Sequence, residues 1–318
     1  MTDVVVTDQA FGNVDRERAM ARRLNASFSE HQCTTEDETV NAVAGARVVF
    51  VNFAPITERV LSSLHPGAVV IRYGIGYDNV DVAAAKFLNI AVCNVPDYGA
   101  DTVADHTTAA LLALLRKIPM YDRAIRREGW VQPPALGKTL AFSHTTVGLI
   151  GTGRIGRSVA SRLVPFGFRV IAYDPFVAPD ELARIGIELM SFDDVLRESD
   201  ALSLHAPLTA ENHHLIGEKE LGMMKEGAVI VNTSRGPLIH TDALILAIKR
   251  SHLGGAALDV FETEPVEIDS ELRGLESVVL TPHAAFYSDQ SLANLQRLAT
   301  EEGERALNGQ ALRSPLTT

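Results

Sequence analysis

A glycine-rich stretch in the middle of the chain has the spacing of a dinucleotide-binding turn. Residues 147–156 are VGLIGTGRIG, so an apolar strand leads directly into Gly151, Gly153 and Gly156. The first glycine permits a tight turn, the second lets the backbone approach a pyrophosphate, and the third lets helix and strand pack closely. The N-terminus of the following helix would face the phosphates. This pattern predicts a bound dinucleotide.

An acidic residue follows the glycines at the distance that a ribose-binding acid would have. The next strand, RVIAYD, ends in Asp174, close to the roughly 20 residues expected for the acid that binds the ribose hydroxyls. A carboxylate would repel a 2′-phosphate, and Pro175 and Phe176 stand where a phosphate-binding arginine would be. The pattern favours NAD over NADP. The alternative is an ordinary strand–helix–strand turn with an incidental acid.

Three later stretches carry side chains suited to acid–base chemistry, namely VNTSRG at 231–236, LDVFETEP at 258–265 and LTPHAA at 280–285. Together with the glycine pattern, and in this order, they resemble the D-2-hydroxyacid dehydrogenases over nearly the whole chain. The resemblance assigns Arg235, Glu264 and His283 to catalysis. Taken singly, Arg235 would more simply be a surface cation and Glu264 a loop charge. His283 alone would more simply be a capping or solvated residue.

The chemistry implied by the resemblance suits these residue types. Reduction of a 2-keto acid needs a hydride from the nicotinamide and a proton for the carbonyl oxygen. His283 can supply the proton because imidazole titrates near neutral pH, and Glu264 would favour the charged imidazolium. Arg235 offers a planar fork of donors that would orient the substrate and stabilise charge on its oxygen.

The first hundred residues contain a candidate site for the substrate carboxylate. Gly74, Ile75 and Gly76 lie at a predicted strand end, where exposed N–H groups form a carboxylate nest, and Arg72 adds a cation. The stretches RYGIGYDN, NHHLI and HAAFYSDQ resemble the branch that contains the C-terminal-binding-protein corepressors, in which the arginine matching Arg72 contacts the substrate carboxylate. Those corepressors have a tryptophan where this chain has Phe286, so a smaller aromatic pocket wall is expected.

The resemblance also implies cofactor contacts outside the glycines. Arg154 and Ile155 would lie at the pyrophosphate, Asp174 at the adenine ribose, and Thr233 and Asp259 at the nicotinamide carboxamide. Residues 205–212 would line the adenosine side, with His205, Pro207 and Asn212 as contacts. Thr102 would reach a phosphate, cap a helix, or do both.

The elements that position these residues alternate between strand and helix. Such alternation predicts parallel sheets with crossover helices. The expected fold is α/β with two Rossmann-like, doubly wound parallel-sheet domains. A cofactor domain at 100–284 would be inserted into a flavodoxin-like substrate domain formed by 1–99 and 285–318.

Two segments near the start of the cofactor domain are expected to lie at interfaces. Thr102 and Asp105 have the spacing of a capping box, which predicts that a long apolar helix begins there. Residues 118–143 have no clear period and include Trp130, so a long loop is expected. An arm at about 118–145 would wrap a second subunit of a homodimer.

The amino-acid composition restricts the kinds of partner that the protein is expected to bind. The 318 residues include 29 Lys and Arg against 40 Asp and Glu, for a net charge of −11. This balance excludes a basic nucleic-acid or membrane footprint. Cys33 and Cys93 fit a reducing cytoplasm. The remaining histidines, His106 among them, lack the spacing of a metal site. Two functions stay open, a dehydrogenase of D-2-hydroxy acids and an NADH-sensing scaffold like the corepressors.

Overall fold

The computed structural model describes residues 2–317. Its strands, in chain order, are β1 (Val4–Val6), β2 (Phe28–Glu30), β3 (Val48–Val51), β4 (Val69–Arg72), β5 (Ala91–Cys93), β6 (Thr146–Ile150), β7 (Arg169–Tyr173), β8 (Ile187–Leu189), β9 (Ala201–Leu204), β10 (Ala228–Asn232), β11 (Leu253–Leu258) and β12 (Val278–Leu280). Its α-helices are α1 (Asp15–Arg23), α2 (Glu36–Val43), α3 (Glu58–Ser62), α4 (Val82–Phe87), α5 (Ala100–Leu115), α6 (Ile118–Glu128), α7 (Arg154–Leu163), α8 (Pro179–Ala183), α9 (Phe192–Glu198), α10 (Glu218–Met223), α11 (Thr241–Lys249) and α12 (Asp289–Leu307).

The chain forms two compact units. The first consists of Met1–Gly99 together with Tyr287–Thr318, and the second of Ala100–Phe286. The chain returns to the first unit two residues later than the predicted position 285. The segment from His283 to Phe286 therefore belongs wholly to the second unit.

The first unit is built on a parallel sheet of order β2-β1-β3-β4-β5. This is the flavodoxin-like order. The internal strands β1 and β3 are entirely buried, as expected of a parallel sheet covered on both faces. Helix α12 belongs to this unit, and a Cβ at its Gly303 would come within 2.5 Å of the Phe50 ring on β3. The last helix thus packs directly on a strand from the start of the chain.

The second unit is built on a parallel sheet of order β12-β11-β10-β9-β6-β7-β8. The strand order reverses between β6 and β9, which pair with each other. Ligands of such sheets bind in the crevice outside the carboxyl ends of the strands at this reversal. The glycine loop follows β6, and His205 follows β9. The second unit therefore has the dinucleotide-binding topology that the sequence predicts.

Sequence analysis missed two strands, β2 and β8, each at an edge of its sheet. Both are three residues long, with the sequences FSE and IEL, and both carry a glutamate. An edge strand has one neighbour and a half-exposed surface, so its apolar pattern is weak. The internal strands, which are continuous apolar runs, were recognisable.

The predicted start of the long apolar helix is wrong. Helix α5 begins at Ala100, so Thr102 lies inside its first turn and does not cap it. The acids of this turn bind the neighbouring helix α7 instead. Asp101 accepts a hydrogen bond from Ser158, and Asp105 pairs with Arg162 at 2.6 Å. Packing between the two helices explains these acids better than capping.

The expected loop after this helix is also wrong over its first part. Lys117 adopts a left-handed conformation with φ of 54°, and helix α6 then starts at Ile118. A proline in the first turn of a helix loses no internal hydrogen bond, so Pro119 is tolerated, and an ion pair between Asp122 and Arg126 supports the helix from outside. Short 3₁₀ turns follow at Pro133–Leu136 and Phe142–His144.

No helix within residues 2–317 is long and apolar enough to cross a membrane.

Candidate active site

The glycine loop after β6 is shaped by close backbone packing. Gly151 has a φ of 94°, and a Cβ there would lie 2.9 Å from the backbone of His205. A Cβ at Gly156 would lie 2.3 Å from the Gly151 carbonyl oxygen. By contrast, a Cβ at Gly153 would meet nothing within 4 Å. The loop therefore leaves space beside Gly153, at the N-terminus of α7, which is where a pyrophosphate would fit.

Helix α7 starts at this space. Arg154 is its first residue and is exposed, whereas Ile155 is partly buried against the neighbouring core. Thr102 lies in the first turn of α5, the helix that packs along α7. Arg154 therefore places a positive charge at the start of α7, next to the space beside Gly153.

Asp174 directly follows β7, at the sheet edge where the glycine loop lies. Its Oδ2 accepts hydrogen bonds from the backbone N–H and the hydroxyl of Thr152, each at 2.8 Å, and its Oδ1 accepts one from the Phe176 N–H. Burial alone would raise the pKa of Asp174, but these hydrogen bonds outweigh it and lower the pKa. An ionised carboxylate beside the glycine loop fits a ribose diol and disfavours a 2′-phosphate.

The segment after β9 lies against the glycine loop. Burial lowers the pKa of His205 to about 4, so its ring is neutral, and Nε2 hydrogen-bonds the Ser203 hydroxyl at 3.0 Å. Asn212 folds the segment back on itself, donating to the Pro207 carbonyl and accepting from the Thr209 N–H, both at 2.7 Å. Its amide thus maintains the loop, while Pro207 is exposed at the rim.

Glu264 and His283 form a direct hydrogen-bonded pair. His283 Nδ1 donates to Glu264 Oε2 at 2.7 Å, and the Phe261 N–H donates to Oε1 at 3.0 Å. Burial alone would raise the pKa of Glu264. The bonds from His283 and Phe261, with the positive charge of Arg235, more than offset burial and lower the pKa. The carboxylate is therefore ionised and orients the imidazole.

Arg235 is held close to this pair by backbone packing. A Cβ at Gly236 would lie 1.9 Å from the carbonyl carbon of Phe261, so the arginine and glutamate segments touch. Asn232 at the end of β10 donates to the Arg235 carbonyl at 2.8 Å. The strands β10, β11 and β12 are parallel neighbours, so their carboxyl ends lie side by side. The segments that follow them, which carry Arg235, Glu264 and His283, therefore lie together at the carboxyl end of the sheet.

Asp259, predicted to hold the nicotinamide carboxamide, has extensive bonds to the histidine segment. Its buried carboxylate accepts from the Thr281 hydroxyl at 2.5 Å and from the N–H groups of Ala284 and Ala285 at 2.8 and 2.9 Å. The Asp259 carbonyl accepts from the His283 N–H at 2.8 Å. His283 itself has a φ of 51°. Asp259 therefore stabilises the turn that presents His283, a role that sequence analysis missed.

Two consecutive residues of α5, not predicted from the sequence, also reach the carboxyl end of this sheet. His106 Nε2 lies 3.1 Å from the Thr281 hydroxyl, and the Thr107 hydroxyl lies 2.7 Å from that of Thr233. The Phe286 ring lies edge-on to His283, with centroids 6.4 Å apart. No local motif marks His106 or Thr107, because their partners lie far along the chain.

In the first unit, the predicted carboxylate nest follows β4. Gly74 has a φ of 122°, and a Cβ there would lie 2.0 Å from an Arg72 guanidinium nitrogen. The carbonyls of Gly74 and Ile75 accept from the Val95 N–H and the Asn94 amide. In a trans peptide the N–H points opposite to the carbonyl. The N–H groups of Ile75 and Gly76 therefore point away from Asn94 and Val95, and the Arg72 guanidinium lies next to Gly74.

Within residues 2–317, no group of histidine, cysteine, aspartate or glutamate side chains is placed to hold a metal ion.

Comparison with known proteins identifies similar sequences and folds. Residues 108–285 match the family model "D-isomer specific 2-hydroxyacid dehydrogenase, NAD binding domain". The chain is 39% identical over 249 residues to a glyoxylate reductase of Korarchaeum cryptofilum, covering 78% of this chain and 75% of that protein. It is 43% identical over 248 residues to a D-3-phosphoglycerate dehydrogenase of Mycobacterium leprae, covering 76% and 46%.

Among solved structures, a D-lactate dehydrogenase from Aquifex aeolicus, complexed with NAD and lactic acid, superposes with a TM-score of 0.89. The two chains are 29% identical, and the match covers 99% of each. A glyoxylate reductase from Paecilomyes thermophila matches with a TM-score of 0.87 and 28% identity, over 99% of this chain and 98% of that one. The α/β fold with two parallel sheets is thus the fold of these enzymes.

Proposed function

The chain belongs to the D-isomer specific 2-hydroxyacid dehydrogenase family, and from this premise we propose that it interconverts a D-2-hydroxy acid and its 2-keto acid, with His283 as the acid and base. The observation that carries the proposal is the 2.7 Å bond from His283 to an ionised Glu264, at the sheet edge that also holds Arg235. NAD is the cofactor, and when bound it supplies or accepts the hydride.

The proton is exchanged at His283 Nε2. A carboxylate only accepts hydrogen bonds, so Nδ1 must carry a proton toward Glu264, which leaves Nε2 as the atom that changes its protonation state. During reduction Nε2 gives its proton to the carbonyl oxygen, which becomes the hydroxyl of the product. During oxidation the hydroxyl proton passes to Nε2, and the C–O single bond becomes a carbonyl.

The cations bind and polarise the substrate. Arg235 donates to the keto oxygen, where negative charge grows during hydride transfer. The predicted nest of Arg72, Gly74, Ile75 and Gly76 would bind the substrate carboxylate through backbone N–H groups and through the guanidinium, which lies next to Gly74. Phe286, beside the His283 ring, limits the size of the substrate side chain.

The substrate class is tested by measuring NADH oxidation with glyoxylate, hydroxypyruvate, pyruvate and bulkier 2-keto acids. These keto acids are chosen because similar proteins are named for glyoxylate, D-3-phosphoglycerate and D-lactate. We expect saturable turnover with at least one small keto acid and a strong preference for NADH over NADPH. Micromolar NADH binding with no turnover on any keto acid would reject a dehydrogenase role.

A second candidate is an NADH-sensing scaffold like the C-terminal-binding-protein corepressors. It is favoured by the stretches RYGIGYDN, NHHLI and HAAFYSDQ, which have the spelling of that branch. Turnover of a keto acid and the effect of NADH on the oligomeric state distinguish the two candidates. A scaffold changes its oligomeric state when it binds NADH and shows negligible turnover, whereas the enzyme turns over a keto acid.

We further propose that the protein is a homodimer held by the arm at residues 118–145. It would work in the cytoplasm on small acids, without nucleic-acid or membrane partners. Trp130 is 78% exposed and Leu140 45% exposed within this arm, and a second subunit would bury such apolar surface. Cys33 and Cys93 are free thiols, as expected in a reducing compartment. Light scattering should give twice the chain mass, and Trp130→Ser should shift it toward the monomer. A wild-type monomer would contradict the dimer.

A further inference from the structure

The side chain of His106, on helix α5, contacts the turn that presents His283. His106 Nε2 lies 3.1 Å from the Thr281 hydroxyl oxygen and 3.8 Å from Asp259 Oδ1. Thr281 begins the turn, two residues before His283. The side chain of His106 is only 28% exposed, so the contact is partly shielded from water.

The direction of each hydrogen bond follows from the number of protons available. The Asp259 carboxylate already accepts from two backbone N–H groups, those of Ala284 and Ala285. The Thr281 hydroxyl has one proton, and at 2.5 Å from Asp259 Oδ1 it must donate that proton to the carboxylate. Its oxygen is then the acceptor for His106. His106 must therefore carry its proton on Nε2 and donate it to Thr281.

We infer that His106 is a positioning residue, which fixes the turn carrying His283 through the ordered series His106 to Thr281 to Asp259. Asp259 completes the series by holding the N–H groups directly after His283, and its own carbonyl holds the His283 N–H. A left-handed φ of 51° is uncommon for any residue with a Cβ, so the hydrogen bonds of this turn help to hold His283 in it. The inference rests on the proposed function, because it assigns a catalytic consequence to the geometry of His283.

The experiment compares His106→Leu with His106→Gln, whose amide nitrogen can replace Nε2 as a donor. We expect His106→Leu to lower kcat about 5- to 10-fold, the range that one net hydrogen bond gives. KM and NADH affinity should stay within about twofold, and His106→Gln should recover most of kcat. His65→Leu, at an exposed histidine of the first unit, should have no effect.

A double-mutant cycle with Thr281→Val tests the route. If His106 acts through Thr281, the double variant loses no more kcat than Thr281→Val alone. Additive losses would overturn the inference, and so would a His106→Gln variant as slow as His106→Leu.

Hydrogen exchange gives a readout that does not depend on turnover. In His106→Leu, the amides of 281–286 should exchange faster, while those of β10 should be unchanged. Unchanged exchange with unchanged kcat would overturn the inference and leave the proposed function standing. Faster exchange in a protein that reduces no 2-keto acid would instead support the positioning role and reject the proposed function.

Discussion

A glutamate in each unit is hydrogen-bonded to a ring side chain, but the two pKa values move in opposite directions. In the first unit Glu17, on α1, is completely buried, and its Oε1 accepts from the Tyr73 hydroxyl at 2.9 Å. Burial raises the pKa of Glu17, and burial together with that carboxyl also raises the pKa of Tyr73. In the second unit the pKa of Glu264 is lowered.

The difference shows what a carboxylate needs in order to remain ionised away from water. The Tyr73 phenol and the Thr300 hydroxyl are neutral donors, and with the more distant charge of Arg16 they do not offset the loss of hydration around Glu17. Glu264 is less deeply buried and has His283, the Phe261 N–H and the charge of Arg235 around it. Asp174 follows the same rule with the two Thr152 donors. Glu264 and Asp174, at strand ends of the second unit, thus have lowered pKa values, whereas the pKa of Glu17 in the first unit is raised.

The largest expected effect is at the partner of the ionised glutamate. His283→Ala should lower kcat by about 10²- to 10⁴-fold, because general acid–base catalysis contributes that range. NADH affinity, measured by fluorescence titration, should stay within about twofold, since the glycine loop and Asp174 are untouched. A variant that keeps wild-type kcat would remove His283 from the proton-donating role.

Glu264→Gln should have the next largest effect. It replaces a charge-assisted hydrogen bond with a neutral one, and such bonds contribute about 1.5–3 kcal/mol, or about 10- to 100-fold in kcat. The wild-type pKa of Glu264 lies below its ordinary value of 4.5, so the wild-type pair stays intact at mildly acidic pH and is lost only as pH falls through that lowered pKa. Rate profiles between neutral and mildly acidic pH should therefore show the deficit of the variant throughout. A deficit that vanishes in mild acid would contradict an ionised Glu264.

Asp174→Ala should change cofactor preference. If Asp174 binds the adenine ribose, as we propose, its removal abolishes both that binding and the repulsion of a 2′-phosphate, so the NADPH to NADH ratio of kcat/KM should rise about tenfold, equivalent to about 1.4 kcal/mol. Asp174→Asn is the matched control, because it keeps the shape and loses only the charge. An unchanged ratio in both variants would contradict the ribose assignment.

Glu17→Gln should have the smallest effect, and on stability only. A carboxyl with a raised folded pKa contributes its full stability below its ordinary value of 4.5, and that contribution is lost as pH rises through the folded pKa. The amide keeps an acceptor for Tyr73 without a charge, so the free energy of unfolding at neutral pH should rise by about 1 kcal/mol, or about 1–2 °C in Tm. The gain should disappear near about pH 4. Glu58→Gln, an exposed control, should change Tm little, and an equal gain there would contradict the burial argument.

Much of this arrangement is predictable because the motifs are local. Gly151 and Gly156 are required by backbone contacts within one turn and its neighbouring strand. The segments of Arg235 and Glu264 follow the internal strands β10 and β11, and that of His283 follows the edge strand β12; all three strands are recognisable as apolar runs. Parallel topology then brings their carboxyl ends together.

What the sequence does not reveal depends on long-range contacts or weak patterns. His106 meets Thr281 across 175 residues, so neither residue has a neighbouring partner that marks it. Asp259 is recognisable as an acid after a strand, but its bonds to the histidine turn need the folded sheet. Helix α6 buries one of its residues, Ala124, and has no side-chain cap at its start, because Lys117 is left-handed there; the sequence therefore lacks the usual signal of a helix start.

The central claim is hydride and proton transfer between NADH and a 2-keto acid, with formation of the D-hydroxy acid. The most direct test is chiral analysis of the product formed from the best keto acid that bears a side chain, together with the NADH consumed. We predict one D-2-hydroxy acid per NADH. Formation of the L isomer or a racemate, or NADH loss without a hydroxy acid, would contradict the account.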